Sequence, residues 1–293
     1  MPAASVTSRI ALSNIVLATD FSEVSKAALQ YAIDLAGCYE GKIVVAHAVP
    51  HEAYLSVPLE PIPVDLDVFW NREKQSLAEF VSQGSFGDVP CEQVMRRGEL
   101  WDVIGDIIKE KHADLVVTGT HGRHGFKKVV LGSAAERIYR QAHCPVLTIG
   151  PEAAAATRTK WVPKKILFAT DFAETSLHAL PYALSLAEEN QARLIFLNVA
   201  PLTPYVYKEV VTVNVRRRLE ALMPAEPWCT PEFVVGFNFP AAEILQVARE
   251  RNADLIVMGV RKPGAAVVTS HLPWSTASDV VSAAPCPVLT VRG

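Results

Sequence analysis

Three glycines and a serine follow an apolar run in the first half of the chain. Gly119 and Gly122 are three residues apart, and Gly132 with Ser133 follows after nine intervening residues. Glycine allows a ligand to approach the backbone closely. Ser133 begins a segment of helical composition and has Glu136 at capping-box spacing, and the start of a helix attracts phosphate. The pattern therefore favours a polyphosphate site, although a loop that merely precedes a helix has the same composition.

The loop between these glycines is basic. Arg123, Lys127 and Lys128 lie in it and could contact phosphate oxygens, or they could simply be solvated. His121 and His124 are also three residues apart, but no cysteine or carboxylate set joins them, so the sequence predicts no metal site there.

Length and composition limit the class of protein. A chain of 293 residues favours two domains, and 50% hydrophobic residues provide ample core. The net charge is −3, with 14 basic and 18 acidic residues up to residue 150 and 14 and 13 after it, which argues against a nucleic-acid partner. The sequence contains no run of 18 apolar residues, which argues against a membrane partner. Five scattered cysteines predict reduced thiols and a cytoplasmic location.

The chain is a tandem duplication. Three segments of the first half return in the same order, at offsets of 151, 140 and 142 residues: NIVLATDFSEVSKAALQYAIDLA, KHADLVVTGTHG and AHCPVLTIG. The segment GPEAAAATRTKWVPKK between the copies predicts a linker. The expected domains are residues 1–150 and 163–293.

Each copy alternates apolar runs with amphipathic segments. The apolar runs predict buried parallel strands at Ile15–Ala18, Ile43–Val49, Leu115–Thr118 and Val146–Ile149. A helix follows the first run, with Ser22 as its N-cap and Gly37 at its end, and another contains Trp101 to Ile108. The pattern predicts two tandem doubly wound α/β domains, in which ligands bind beyond the carboxyl ends of the strands.

ATDFSE after the first strand, ADLVVTGTHG at the fourth, and the spacing G-x2-G-x9-G-[ST] before CPVLTI resemble the universal stress protein family over essentially the whole chain. The resemblance implies a stress-response protein whose domains are five-stranded parallel sheets. It also implies ATP binding and pairing of two domains through their last strands. A tandem chain can form that pseudo-dimer within itself, and a further homodimer stays open.

The resemblance also assigns roles to residues. Ala18, Thr19 and Asp20 would line the adenosine end, with the Asp20 carboxylate on a ribose hydroxyl, and the backbone of Ala48 would meet the adenine edge. The phosphates would be held by a second group: Gly119, Gly122, Gly132, Ser133 and the amide of Ala134. Mg²⁺ is expected with the triphosphate. The alternative for Asp20 is an Asx turn that caps the strand.

The second copy departs from the motif. Gly259 remains, but Lys262 stands where the second glycine is expected, and Trp274-Ser275 after Pro273 replaces Gly132-Ser133. A tryptophan there would obstruct the phosphate seat. Thr170 and Asp171 persist, so the nucleoside end could remain. A structural partner domain with a degenerate site is the favoured interpretation of this copy.

Three functions stay open from the sequence. The favoured one is a nucleotide-binding regulatory protein that is not an enzyme and that acts on an unidentified protein partner. The second is a slow ATPase or nucleotide-dependent transferase in which Asp20 or His121 orients a water. The third is a ligand-free scaffold. Elsewhere, Cys144 and Cys286 are expected to be buried structural thiols, and the run Arg216 to Arg218 a solvated helix face.

Overall fold

The computed structural model describes residues 10–50, 66–120, 133–156, 160–201, 207–225, 227–261 and 273–293. Within these ranges each copy alternates strands with helices, as the sequence predicts.

The described residues of the first copy form five strands and four helices. They are β1 (Asn14–Ala18), α1 (Glu23–Cys38), β2 (Lys42–Val49), α2 (Leu66–Ser82), β3 (Cys91–Arg97), α3 (Leu100–Glu110), β4 (Leu115–Gly119), α4 (Ser133–Gln141) and β5 (Val146–Ile149). A short helix, α5 (Pro151–Ala155), follows. The second copy contains β6 (Lys165–Ala169), α6 (Glu174–Leu177), α7 (Leu180–Glu189), β7 (Arg193–Val199), α8 (Lys208–Glu220), β8 (Glu232–Gly236), α9 (Pro240–Arg251), β9 (Leu255–Val260), α10 (Pro273–Ala283) and β10 (Val288–Arg292).

The strands form one ten-stranded sheet in the order β3-β2-β1-β4-β5-β10-β9-β6-β7-β8. Within each copy all neighbouring strands are parallel. Both copies are therefore doubly wound five-stranded sheets, and the predicted fold class is confirmed.

The copies join through their last strands, as predicted. β5 and β10 pair antiparallel, with Leu147 opposite Leu289. On either side of that pair, Thr148 Oγ1 donates to the carbonyl oxygen of Val288 at 3.1 Å, and Thr290 Oγ1 donates to that of Val146 at 3.2 Å. Each strand thereby covers an edge that would be exposed in an isolated copy.

The core lies on both faces of the sheet. Along β1, Ile15 and Leu17 contact one hydrophobic cluster, with α1, α2, α5, α7 and α8, while Val16 and Ala18 contact the other, with α3, α4, α9 and α10. All four side chains are buried, which is why this strand is apolar throughout instead of alternating.

Helix α1 begins as predicted and ends slightly later. The Ser22 hydroxyl accepts from the amide of Ser25 as the N-cap. Gly37 lies inside the helix, which ends at Cys38, and the chain reverses at Glu40, whose φ is 51°. In the second copy the equivalent helix is divided into α6 and α7. Pro181 stands in the first turn of α7, where its missing N–H breaks no helical bond, and it prevents the two from being continuous.

The segment between the copies packs against the first copy. The Tyr31 hydroxyl of α1 donates to the carbonyl oxygen of Ala153 in α5. The amide of Trp161 donates to the Asp34 carboxylate at 2.7 Å, and the indole is 3% exposed beside the Tyr31 ring. The segment connects the copies, and its Trp161 provides a large apolar side chain that the core buries.

Two smaller predictions are partly confirmed. Cys286 is buried, whereas Cys144 is only partly buried, and burial raises the pKa of the Cys144 thiol to about 12. The run Arg216 to Arg218 is exposed on α8, but the Arg218 guanidinium stacks over the Phe172 ring at 3.8 Å. In the described part of the chain, no helix is long and apolar enough to cross a membrane.

Candidate functional site

The candidate site lies where the connections from the central strands diverge. From β1 the chain goes to β2 on one side, and after β3 it returns to β4 on the other side. In doubly wound sheets this switch point is where ligands bind, beyond the carboxyl ends of the strands. Ala18 pairs with Thr118 in the register of β1 and β4, so Thr19 and Gly119 come next to each other at that edge.

The turn after β1 is held by its own side chains. Asp20 Oδ1 accepts from the amide of Ser22 at 3.1 Å and from Ser25 Oγ at 2.7 Å. Thr19 Oγ1 accepts from the amide of Phe21, whose φ of 66° is rare for a side chain of that size. Asp20 therefore forms the Asx turn that the sequence left as an alternative, and this turn fixes the position of its carboxylate.

Ala48 lies near the end of β2 with its main-chain groups toward the site. The carbonyl oxygen of Ala46 accepts from the amide of Thr19 at 3.0 Å, and strand groups that face one side recur every second residue. The N–H and C=O of Ala48 thus face the same side, at the level where β1 has ended. This orientation suits the edge of a planar ligand.

His47 was missed by sequence reasoning. Its Nδ1 lies 2.7 Å from the carbonyl oxygen of Thr19, and its Nε2 lies 3.2 Å from Glu73 Oε2 on α2. Both facing atoms are acceptors, so both contacts are hydrogen bonds when both ring nitrogens are protonated. Both side chains are nearly buried, and they connect α2 to the turn that carries Asp20. A histidine within an apolar strand was the available signal.

Gly119 has a packing role that the sequence did not reveal. It is the last residue of β4, paired with Ile149, and does not belong to the following turn. A Cβ at this position would lie 3.0 Å from Val24 Cγ1 and 3.3 Å from the amide nitrogen of Ser25. The first turn of α1 therefore approaches the strand closely, and a side chain at this position would require Val24 to shift by a few tenths of an ångström.

The phosphate end is described only in part. Gly122 and Gly132, together with His121, Arg123, His124, Lys127 and Lys128, lie outside the described residues. Ser133 is the first residue of α4 and Ala134 the second, which gives their amides the position of an N-terminal turn. Glu136 pairs with Arg140 at 3.1 Å along the same helix. The predicted capping box depends on the Ser133 side chain, which lies outside the description.

Sequence comparison decides the family. The family model described as "Universal stress protein family" matches residues 12–150 and again residues 163–292. The chain belongs to the universal stress protein family. Its two copies correspond to these two matches.

Two relatives found by sequence each cover slightly less than half of this chain. A universal stress protein of Methanocaldococcus jannaschii is 31% identical over 136 residues, covering 46% of this chain and 80% of that protein. One of Thermus aquaticus is 35% identical over 137 residues, covering 44% and 98%. The crystal structure of a universal stress protein from Archaeoglobus fulgidus covers 95% of this chain and 98% of its own, with a TM-score of 0.69 at 22% identity, so the likeness extends to the fold of the tandem pair.

The second universal stress protein copy repeats the turn with a different partner. Asp171 Oδ1 accepts from the amide of Ala173 at 3.0 Å, and Thr170 Oγ1 accepts from that of Phe172 at 2.9 Å. The second carboxylate oxygen of Asp171 lies 3.4 Å from Nη2 of Arg261, which occupies the position of His121 in the repeat. The Thr170-Asp171 turn has persisted, but an arginine now pairs with its carboxylate.

A cavity of about 250 Å³ lies at the same edge of the second copy. It is lined by Ala169, Thr170, Asp171, Thr175, Ser176, Leu197, Val199, Pro240, Ile244, Met258, Gly259, Val260, Arg261 and Thr276. Lys262 and the side chains of Pro273, Trp274 and Ser275 lie outside the description, so the predicted obstruction by Trp274 stays a prediction.

Proposed function

We propose that the protein is an ATP-binding regulatory protein of the stress response, with the nucleotide held by the first copy. The observation that carries the proposal is the turn Thr19-Asp20 beside Gly119 at the switch point of the first sheet. Family membership supports the stress-response role.

Each end of the nucleotide has a matching group in this proposal. The Asp20 carboxylate accepts from a ribose hydroxyl, and the main chain of Ala48 meets the adenine edge. The amides of Ser133 and Ala134 at the start of α4 hold phosphate oxygens together with the three glycines, because a helix start offers free N–H groups and a partial positive charge.

Magnesium would be held mainly by the nucleotide. No cluster of three or more histidine, cysteine or acidic side chains suited to a metal occurs among the described residues. The triphosphate and water would supply most of the ligands of a bound Mg²⁺, as is usual for this cation.

The proposal also covers the location of the protein, its mode of action and the role of the second copy. The protein works as a cytoplasmic binder and not as an enzyme, and nucleotide occupancy alters a surface recognised by a protein partner. The second copy contributes its half of the sheet and does not hold ATP. Bulkier side chains support this last point, because Leu197 and Val199 stand where the first copy has Ala46 and Ala48.

Titration calorimetry with ATP and Mg²⁺ tests the proposal. Gly122→Asp should abolish binding by placing a side chain and a negative charge at the phosphates. Asp20→Ala should weaken binding about ten-fold or more, since a hydrogen bond to a charged group contributes about 1.5–3 kcal/mol. Asp171→Ala, the matched change in the second copy, should leave the affinity nearly unchanged.

Two results would contradict the proposal. Equal losses from Asp20→Ala and Asp171→Ala would remove the distinction between the copies. Failure of ATP to bind the unaltered protein, together with its absence from the small molecules that co-purify, would favour the ligand-free scaffold instead.

A further inference from the structure

The cavity of the second copy has an apolar floor that differs from the equivalent part of the first copy. Leu197 and Met258 are almost fully buried and line it together with Ile244. At the repeat offset, Leu197 replaces Ala46 and Val199 replaces Ala48. The larger side chains of the second copy occupy space beside the strand ends, and a cavity nevertheless remains there.

The size of the cavity limits the ligand. A cavity of roughly 150 Å³ lined by apolar side chains holds benzene, so one of about 250 Å³ accommodates a body of about ten non-hydrogen atoms. A nucleoside triphosphate is several times larger. The part of a ligand that the lining residues enclose is therefore a small, apolar body.

The mouth of the cavity carries one cation and one anion. Arg261 contacts Asp171 through a single nitrogen–oxygen distance of 3.4 Å, and its side chain is 27% exposed. That is a long, one-point contact for a guanidinium, which can form two parallel hydrogen bonds with a carboxylate. Asp171 is also tied to its own turn through Oδ1, which prevents it from turning both oxygens toward the arginine.

The surrounding polar groups are uncharged or favour an anion. Thr175 and Thr276, which are uncharged, are among the lining residues. Thr276 belongs to the first turns of α10, an eleven-residue helix with no acidic residue in its first turn. The positive end of that helix dipole adds to the arginine, so the charge of Asp171 is more than offset at the mouth.

We propose that this cavity binds a small monocarboxylate, with its aromatic or branched aliphatic body against Leu197, Ile244 and Met258 and its carboxylate paired with Arg261. The ligand carboxylate replaces Asp171 as the partner of the guanidinium and makes the two-point contact that Asp171 does not make. The second copy is then a separate sensor site for an organic acid, whatever the first copy binds.

The test is calorimetric titration of the full chain with 3-phenylpropionate, with 3-phenylpropanamide as the neutral ligand of equal size. The acid should bind about ten-fold more tightly than the amide, the difference expected for a charge-assisted hydrogen bond. Arg261→Gln should remove that preference. Asp171→Asn should strengthen acid binding severalfold, because it keeps the Asx-turn acceptor while removing the competing negative charge.

Two further variants complete the test. Arg249→Gln removes another arginine of the second copy, one that contacts Glu152 and the carbonyl oxygen of Ala283, and should leave acid binding unchanged. Ile244→Trp fills the cavity and should abolish binding of both probes. Gly122→Asp, which tests the ATP site, should not affect acid binding, so failure of one proposal is distinguishable from failure of the other.

Several results would overturn the inference. They are the absence of acid binding, equal affinity for acid and amide, an unchanged preference in Arg261→Gln, or weaker acid binding in Asp171→Asn. Displacement of the bound acid by adenosine, with the displacement retained in Gly122→Asp, would show that the second copy has kept a nucleoside site.

Discussion

Asn198 Nδ2 donates a hydrogen bond of 2.8 Å to the carbonyl oxygen of Thr170. In the first copy, His47 at the equivalent position of its strand contacts the carbonyl oxygen of Thr19 at 2.7 Å. Two different side chains thus hold the turn after the first strand of each copy. The histidine in addition contacts Glu73 on α2.

The first prediction concerns this support of the Asp20 turn. His47→Leu removes the donor at the Thr19 carbonyl and the contact of His47 with Glu73 Oε2. We expect ATP affinity to fall about ten-fold, and stability to fall by about 1–3 kcal/mol, the usual cost of leaving a buried hydrogen-bonding group unsatisfied. Calorimetry with ATP and denaturant unfolding measure the two effects separately.

A rescue variant separates positioning from folding. His47→Asn with Glu73→Gln restores the donor found in the second copy and removes the buried charge, so ATP affinity should return to within a few-fold of the original. Asn198→Leu is the matched control, which should lower stability but not ATP affinity. An ATP affinity that is unchanged in His47→Leu would show that the turn needs no such support.

The sequence predicts the bounds of the buried strands well, but it does not predict which distant residues pack against their ends. The apolar runs at β1, β2, β4 and β5 agree with the structure to within one residue, because strands buried on both faces are apolar at every position. The repeat also predicts the junction, since a duplicated last strand needs a partner for its edge. Both inferences rest on patterns that can be recognised in the sequence alone, the apolar runs and the repeat.

Other parts of the molecule depend on contacts between distant residues. The edge strand β3 begins with exposed Cys91 and lacks a continuous apolar run, so no strand was predicted at those positions. The contact of His47 with Glu73 joins residues 26 positions apart in the chain, and Trp161 was interpreted as part of a linker. Gly119 was attributed to ligand approach because the proximity of α1 to β4 does not show in the order of residues.

The second prediction concerns Gly119 and Gly259, near the ends of β4 and β9. It separates two reasons for a glycine there, close packing of a helix and close approach of a ligand. A Cβ at Gly259 would lie 2.2 Å from the carbonyl oxygen of Thr175, which is backbone, whereas at Gly119 the nearest atom is Val24 Cγ1 at 3.0 Å, which can move. Gly259→Ala should therefore reduce stability by about 1–3 kcal/mol, as overpacking does, and Gly119→Ala by less.

Denaturant unfolding of both glycine variants checks this order. In addition, Gly119→Ala should weaken ATP binding while Gly259→Ala should not. A larger stability loss in Gly119→Ala would indicate that the first turn of α1 yields less readily than the backbone of α6.

The third prediction concerns the junction of the copies. Leu289 is 4% exposed and pairs with Leu147 across β5 and β10. Leu289→Ala should lower stability by about 2–5 kcal/mol, the range for a buried leucine. Val213→Ala on α8, where the side chain is 57% exposed, should change it by about 0.5 kcal/mol at most.

The shape of the unfolding curve tests the continuity of the sheet. Because the two copies share one sheet and a buried strand pair, we expect a single cooperative transition in the unaltered protein. Leu289→Ala should shift that transition. Two well-separated transitions in the unaltered protein, with only one of them moved by the substitution, would show that each copy unfolds on its own.

The fourth prediction is that ATP hydrolysis is slow compared with ordinary enzymes, which turn over at about 1–1000 per second. Hydrolysis needs an oriented water and groups that stabilise the charge developing at the γ-phosphate. Asp20 Oδ1 already accepts from Ser22 and Ser25, and the proposed ribose contact holds this carboxylate away from the γ-phosphorus. The sequence supplies no carboxylate placed to orient His121 as a base.

Steady-state phosphate release measures the rate, and Gly122→Asp prepared in the same way corrects for contaminating ATPases. Turnover within the ordinary range that is lost in Gly122→Asp would replace the binder by an enzyme.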